Sequence, residues 1–194
     1  MSSDEKMTQE TLEQRARSLS QRSNTSVETF ENFGQHAHLL FSCGGQKFLL
    51  RLDQVHEILS NPTVTRIPCT PPEIAGVINL RGTIIDVVEL DVLLGLTGPG
   101  TTRDEARRRT LLCEAKASIF GLRVDDVAGI VPITPDTMEE LPASLSERMS
   151  RVLEGVVRYG SDRREVAALF SAVKAFASHE FDPVRRPPEG NREP

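Results

Sequence analysis

The sequence has no tryptophan, one tyrosine and only three cysteines among its 194 residues. Cys43, Cys69 and Cys113 are odd in number and widely spaced, which does not suit a disulfide framework and predicts a reducing, cytoplasmic compartment. The chain contains no apolar run of about 18 residues, so no membrane span is predicted. Its N-terminus lacks the apolar core of a signal peptide, so no secretory route is expected.

Basic character and catalytic motifs are also missing. The net charge of -5 argues against a general nucleic-acid binder, and an OB-type barrel would need stacking aromatics and a basic stripe. The run Arg107-Arg108-Arg109 is predicted to be a solvated loop face. His56 has no neighbouring nucleophile motif, and no Cys-x-x-Cys or His-Glu-x-x-His spacing exists, so no catalytic residue, metal or cofactor is predicted. An enzyme or small-ligand binder, which would need a polar pocket of perturbed titratable groups, stays the alternative.

The two ends of the chain differ in composition from its middle. Residues 1–35 are rich in Ser, Gln, Glu and Arg, and residues 183–194 are rich in Pro and charge. Both segments are therefore predicted to be disordered tails. Residues 95–109 combine Gly and Pro with a run of charges, which predicts a linker. The folded domain is expected over residues 36–182.

Four pairs of short β-prone segments lie between the tails. The first pair, HLLFSC and QKFLLRL, flanks Gly44-Gly45, which predicts a hairpin turn. The second pair is RTLLCEA with SIFGLRV, and the fourth is VLEGVVRYG with EVAALF. The third pair, EIAGVINL and GTIIDVVEL, is bent at Arg81-Gly82. Short helices are predicted over residues 91–96 and 172–178. This spacing predicts an all-β fold made of small barrels or a sandwich.

An internal repeat supports two related modules. Residues 48–59, FLLRLDQVHEIL, align with residues 120–131, FGLRVDDVAGIV, with six identical positions. Residues 74–78, IAGVI, align in the same order with residues 153–157, LEGVV. Modules of about 60–70 residues are marginal alone, so we expect them to pack against each other.

Residues 38–178 resemble the CheW-like domain of bacterial chemotaxis coupling proteins. The most specific part is TRIPCTPPEIAGVINLRGTIIDVVEL, with a Pro-bearing loop, a Gly-Val-x-Asn-Leu-Arg-Gly turn and an apolar strand. The resemblance implies two SH3-like five-stranded β-barrel subdomains around a shared core. The first would span about 36–94 with a returning C-terminal segment, and the second about 109–170.

The resemblance also implies a function. Members of the family have no catalytic activity and need no cofactor, and they couple chemoreceptor cytoplasmic tips to a CheA-type histidine kinase. Kinase and adaptor alternate in rings that join receptors into arrays. We therefore expect a cytoplasmic scaffold at receptor arrays that binds no nucleic acid and meets the membrane only through receptors.

Individual residues take expected roles from the family motif. Arg81 would pair with Glu57 as a partly buried ion pair, since a guanidinium can donate two parallel hydrogen bonds to a carboxylate. The alternative is that Arg81 caps a solvated turn. The expected receptor-binding residues are Val55, Glu57, Ile58, Leu80 and Arg81, and core packing is the alternative for Val55 and Ile58. The expected kinase-binding residues are Gly76, Asn79 and Gly82, and backbone geometry is the alternative for the glycines.

Two departures from the family pattern concern the kinase contact. Asp86 stands where the family usually carries proline, and the last strand, EVAALFSAVKAF, has small residues in place of larger aliphatics. They leave open a second function, a receptor-only adaptor of a non-flagellar chemosensory pathway that has lost kinase contact.

Overall fold

The structure, a computed structural model, describes residues 36–97, 104–115, 118–160 and 162–177. The predicted tails, residues 1–35 and 183–194, lie outside the described residues. The described chain consists mainly of β-strands with a few short helices, which confirms the predicted all-β class. No helix in these four ranges is long and apolar enough to cross a membrane.

The strands follow one another in chain order and most are six or seven residues long. They are β1 (Ala37–Cys43), β2 (Gln46–Arg51), β3 (Val55–Ser60), β4 (Ile74–Leu80), β5 (Thr83–Glu89), β6 (Arg109–Ala115), β7 (Ser118–Val124), β8 (Asp126–Pro132), β9 (Met138–Glu139), β10 (Leu153–Tyr159) and β11 (Glu165–Phe170). The helices are α1 (Leu90–Leu93), α2 (Glu147–Val152) and α3 (Ala172–Ala177).

The four predicted strand pairs are confirmed as antiparallel neighbours: β1 with β2, β4 with β5, β6 with β7, and β10 with β11. Gly44 and Gly45 form the first turn at φ 57° and 75°, angles that suit glycine because it has no Cβ. Helix α1 ends earlier than predicted, at Leu93. Helix α2 was not predicted; its cap is the Ser146 side chain, which accepts from the Met149 N–H at 3.4 Å.

The strands form two sheets whose composition crosses the predicted subdomain boundaries. One sheet has the order β8-β1-β2-β11-β10-β9, and the other has the order β3-β6-β7-β5-β4. The hairpin β1–β2 therefore lies in the sheet of the second repeat, and β6–β7 lies in the sheet of the first. We call this arrangement the exchange of hairpins between the two repeats. It is held by the parallel pairing of β2 with β11 and of β5 with β7. Sequence repeats predict local hairpins, but they do not tell which sheet each hairpin joins.

Three hydrophobic clusters stabilise the fold. The largest contains residues of both sheets, including Phe41, Phe48, Leu111, Leu122 and Phe170. A small cluster on the six-stranded sheet is built around Leu49, Val157 and Leu169. Its counterpart on the five-stranded sheet consists of Ile78, Ile85, Val87 and Leu112. A large cluster shared by both sheets means that neither sheet buries its apolar surface without the other.

Candidate functional site

The Arg81-Gly82 turn between β4 and β5 is shaped by its own residues. Arg81 and Gly82 have φ values of 52° and 90°, and positive φ at both central residues is the signature of a type I′ hairpin turn. The Asn79 side-chain oxygen accepts from the Gly82 N–H at 2.8 Å. Asn79 and Gly82 thus have a structural role in this turn, whether or not a partner contacts them.

Arg81 and Glu57 approach each other as a loose surface pair. Arg81 Nη2 lies 3.8 Å from Glu57 Oε2, which is beyond hydrogen-bond range. The Arg81 side chain is 81% exposed and that of Glu57 is 35% exposed. The geometry differs from the expected partly buried, doubly hydrogen-bonded pair because the left-handed turn carries Arg81 out of the sheet. A pair this exposed contributes about 0–1 kcal/mol, so most of the guanidinium surface is free to meet a partner.

The Glu57–Arg81 contact marks a seam between two strands that are distant in sheet order. β3 and β4 are the two edges of the five-stranded sheet, yet Glu57 on β3 reaches the turn that follows β4. Leu59 of β3 and Leu80 of β4 both pack against the small cluster of this sheet. The sheet therefore curls until its edges approach each other at this point.

The two apolar candidates on β3 differ in exposure. Val55 is partly buried and packs against the large shared cluster, so core packing accounts for it. Ile58 is 39% exposed, and core packing does not account for it. Glu57, Leu80 and Arg81 are brought together at the seam, and Ile58 is the next residue after Glu57 on the same strand.

The second repeat has the same strands but lacks this charged pair. Val127 and Ile130 of β8 correspond to Val55 and Ile58 in the repeat alignment. The counterpart of Glu57 is Gly129, and the turn after β10 begins with Gly160 where the first repeat has Arg81. Among the described residues, the seam pair therefore belongs to the first repeat alone.

Gly76 is required by a close backbone contact. A Cβ at this position would lie 2.1 Å from the Thr65 carbonyl oxygen, and its φ is 140°. Thr65 and Val77 exchange two backbone hydrogen bonds of 2.8 and 2.9 Å across this point. The second repeat has a similar contact, since a Cβ on Gly155 would lie 2.8 Å from the Glu139 carbonyl oxygen. Backbone geometry thus accounts for Gly76 independently of any kinase contact.

Asp86 lies on β5 opposite Val77 of β4. Its side chain is partly buried, and burial raises the pKa of its carboxyl above the ordinary value. Ile84, two residues earlier on the strand, is 61% exposed. The strand therefore combines an exposed apolar side chain with a carboxylate that is poorly solvated.

A network of four charges, in which Arg108 and Glu89 are buried and Glu105 is exposed, was not predicted from the sequence. Arg108 is 1% exposed, so the prediction that the 107–109 run is solvated is wrong for its central residue. Both terminal nitrogens of Arg108 donate to the Glu89 carboxylate. Arg123 donates to Glu89 at 3.1 Å and to Glu105 at 2.6 Å. Burial is the largest single influence and disfavours the charge on Arg108, but the Glu89 hydrogen bond and the charges of Glu89, Glu105 and Asp91 together outweigh it and raise the Arg108 pKa.

The network follows from where the strands place its members. Glu89 and Arg123 are register partners in the parallel pair β5–β7, and Arg108 immediately precedes β6. These positions are far apart in sequence, and only the exchange of the β6–β7 hairpin brings them together. The sequence of three consecutive arginines does not indicate that one of them pairs with a distant carboxylate.

A pocket of about 330 Å³ lies beside this network. Its charged lining residues are Arg66, Glu89 and Arg123, and its other lining residues are Val64, Ile67, Thr70, Pro72, Ile74, Ala75 and Val92. Glu89 and Arg123 are already paired with each other. In the described ranges, no group of three or more His, Cys, Asp or Glu residues could hold a metal ion. The pocket therefore offers the Glu89–Arg123 pair and the Arg66 guanidinium, and the described residues assemble no metal site around it.

Comparison with known proteins identifies the family. Residues 37–180 match the family described as "CheW-like domain". Since this match covers most of the sequence, the chain belongs to the CheW-like domain family, and the resemblance seen in the sequence is confirmed.

Individual relatives agree with this assignment. The chain is 28% identical to the probable chemotaxis protein CheW of Rhizobium etli over 76% of this chain and 95% of that protein. It is 29% identical to Protein PilI of Pseudomonas aeruginosa over 72% of this chain and 74% of that protein. The solved structure of the scaffolding protein TtCheW from Thermoanaerobacter tengcongensis superposes with a TM-score of 0.63 at 27% identity, covering 73% of this chain and 92% of that one.

Proposed function

We propose that this chain is a non-catalytic adaptor that couples the cytoplasmic tip of a chemoreceptor to a CheA-type histidine kinase. The observation that carries the proposal is the seam at Glu57 and Arg81, where an exposed guanidinium follows Leu80 at the end of β4. Membership of the CheW-like domain family supports it, as do relatives named as chemotaxis and scaffolding proteins. Its place is the cytoplasmic receptor array, and it meets the membrane only through receptors.

The seam offers a receptor helix two kinds of contact. Leu80 gives apolar surface to a helix laid along the curled sheet, a helix-in-groove mode. Ile58 alternates with Glu57 along β3, so its exposed side chain offers an apolar contact on the opposite face of that strand. Arg81 can donate to a carboxylate on that helix, because only one weak contact holds it to Glu57. Each such interface is expected to be small, near about 1,000 Å². Arrays then add avidity, since tethered partners raise the effective concentration of the second contact.

Replacing Arg81 by Glu tests the receptor contact. We expect at least a tenfold loss of affinity for a receptor helical-hairpin fragment, since charge reversal introduces repulsion at the seam. Circular dichroism and the urea midpoint should stay unchanged, because the replaced side chain is exposed. Affinity is measured by titration of the fragment onto immobilised protein.

Two further variants sharpen this test. Arg158→Glu is the matched control, since Arg158 forms an exposed pair with Glu139 on the other sheet; it should leave receptor affinity unchanged. The double variant Glu57→Arg with Arg81→Glu restores opposite charges within the seam but not a contact from Arg81 to the receptor. Full recovery of affinity in the double variant would contradict a direct contact, as would unchanged affinity in Arg81→Glu.

The kinase contact is proposed at the surface around the β4–β5 turn, which contains Gly76, Asn79 and Gly82. The exposed Ile84 on the following strand supports an apolar contact there. A receptor-only adaptor is the second candidate, and the observation that favours it is Asp86, a poorly solvated carboxyl on the same strand. Separate titrations of the receptor fragment and of the kinase regulatory domain distinguish the two. Binding of both partners supports the coupling function, and binding of the receptor alone supports the second candidate.

A further inference from the structure

Each half of the chain lacks a continuous sheet of its own. We call the described residues 36–97 the first half and 104–177 the second half. In the first half, β1 pairs with β2 and β4 pairs with β5, while β3 pairs with β6 of the second half. The hairpins β1–β2 and β4–β5 lie in different sheets. By backbone strand pairing, the pieces of the first half are therefore joined to one another only through strands of the other half.

The second half has the same dependence. Its hairpin β6–β7 lies between β3 and β5 of the first half, and β8 lies beside β1. Its hairpin β10–β11 reaches the first half through the parallel pair of β11 with β2. Four strand pairings thus join the two halves, two in each sheet.

Side chains reinforce these pairings. The Asp125 carboxylate accepts from the Gly44 N–H at 2.8 Å, and the Gln54 side chain accepts from the Ala172 N–H at 2.9 Å. Glu89 of the first half binds Arg108 and Arg123 of the second half. The large hydrophobic cluster also takes its residues from both halves. The contact between halves thus resembles an obligate subunit interface, with a buried apolar centre and paired charges.

We propose that the two halves recognise each other as separate subunits would, so that a second copy of this chain can supply the missing half. In the resulting dimer, the first half of each copy pairs with the second half of the other. Every pairing and ion pair described above is kept in each unit of the dimer. Domain swapping of this kind is a low-cost route to a dimer because it creates no new interface.

Concentration decides between the two forms. Within one chain, the halves meet at an effective concentration on the order of millimolar, as for modules joined by a short linker. Refolding at about 100 µM should then give roughly 10% dimer, and refolding at about 10 µM roughly 1%. Each unit of the dimer keeps its own Glu57–Arg81 pair, since both residues belong to the first half. The dimer would carry two seams.

The first experiment uses the full chain with a specific protease site in place of residues 98–103. After cleavage of the folded protein, we expect the two pieces to co-elute on gel filtration with unchanged circular dichroism. Urea unfolding should stay a single transition, but its midpoint should rise with protein concentration, because unfolding now separates two molecules. Two independent transitions, or separation of the pieces without denaturant, would overturn the proposal.

The second experiment tests the second copy directly. Two full-length preparations with different affinity tags are mixed, unfolded in urea, refolded and purified on both tags in succession. We expect doubly tagged dimer at a fraction that rises about tenfold with a tenfold rise in refolding concentration, and that is absent when the folded proteins are mixed without urea. Absence of doubly tagged dimer at both concentrations would overturn strand exchange between copies.

Discussion

At the scale of single residues, burial decides which side chains can react with solvent or with partners. Arg81 in the turn and Asp86 on β5 illustrate this within one hairpin. The turn exposes the charge of Arg81, whereas β5 places the Asp86 carboxyl where burial raises its pKa. The family motif implied a partly buried Arg81–Glu57 pair, because a motif gives residue types but not the exposure of the turn.

Asp86→Asn should stabilise the protein at pH 7. The raised folded pKa means that the ionised carboxylate is disfavoured in the folded state. This penalty is fully present above the folded pKa and vanishes below the ordinary pKa of an unfolded aspartate, about 3.9. Urea midpoints should therefore differ at pH 7 and converge as the pH falls to about 3.5.

Asp126→Asn is the matched control, because this variant should lower the urea midpoint at pH 7, whereas Asp86→Asn should raise it. The hydrogen bond from Arg107 lowers the pKa of the Asp126 carboxyl, so its ionised form contributes stability at pH 7 that is lost as the pH falls through the folded pKa. A fall in the pH 7 urea midpoint of Asp86→Asn would contradict the argument from burial.

One of the three thiols should react in the folded protein. Cys69 is exposed, whereas Cys43 and Cys113 are buried, and burial strongly raises the pKa of both buried thiols. Their thiolate forms are therefore scarce even at pH 9. A colorimetric thiol assay should give one equivalent in buffer and three in urea, and Cys69→Ser should remove the fast equivalent. More than one fast equivalent in buffer would contradict the assigned burial.

At the scale of elements, the segment of residues 61–73 lies close against β4 because Gly76 has no side chain. Gly76→Ala places a Cβ 2.1 Å from the Thr65 carbonyl oxygen, so the backbone must move and the two Thr65–Val77 hydrogen bonds must lengthen. The positive φ alone costs about 1–3 kcal/mol for a residue with a Cβ.

Gly82→Ala separates the two contributions in Gly76→Ala. Gly82 also has a positive φ, but a Cβ there would meet nothing within 4 Å. We expect both variants to lower the free energy of unfolding in urea and Gly76→Ala to lower it more. Equal losses would show that the contact with Thr65 adds nothing to the backbone strain.

Sequence reasoning predicted the hairpins well and their assembly poorly. Gly44-Gly45 and Arg81-Gly82 mark tight turns by local chemistry, and both turns are present. The pairing of β3 with β6 has no local signal, since each strand bonds to a partner far along the chain. For the same reason, the ion pair of Arg108 with Glu89 could not be predicted from the local sequence around either residue. Glu57 and Arg81 were paired only through the family motif, and the exposure of Arg81 corresponds to the alternative of a solvated turn.

At the scale of the whole molecule, Glu89 links the two halves through its ion pairs with Arg108 and Arg123. Its removal in Glu89→Ala would leave Arg108 buried without its carboxylate. Breaking a buried pair from one side costs about 3–5 kcal/mol, whereas removing an exposed pair costs about 0–1 kcal/mol. The urea midpoint of Glu89→Ala should fall accordingly.

Glu139→Ala is the matched control for Glu89→Ala. Glu139 forms a half-exposed pair with Arg158 within the second half, so this variant should unfold close to the wild type. Equal midpoints for Glu89→Ala and Glu139→Ala would contradict the buried role of Glu89.

The exchanged hairpins also determine when the protein can fold during its synthesis. The five-stranded sheet needs β7, and the six-stranded sheet needs β11, so neither can close while only the first half has left the ribosome. The hairpins β1–β2 and β4–β5 therefore keep their apolar faces exposed until β7 and β11 have been translated. Nascent chains stalled before residue 170 are thus expected to stay sensitive to protease and to recruit chaperones.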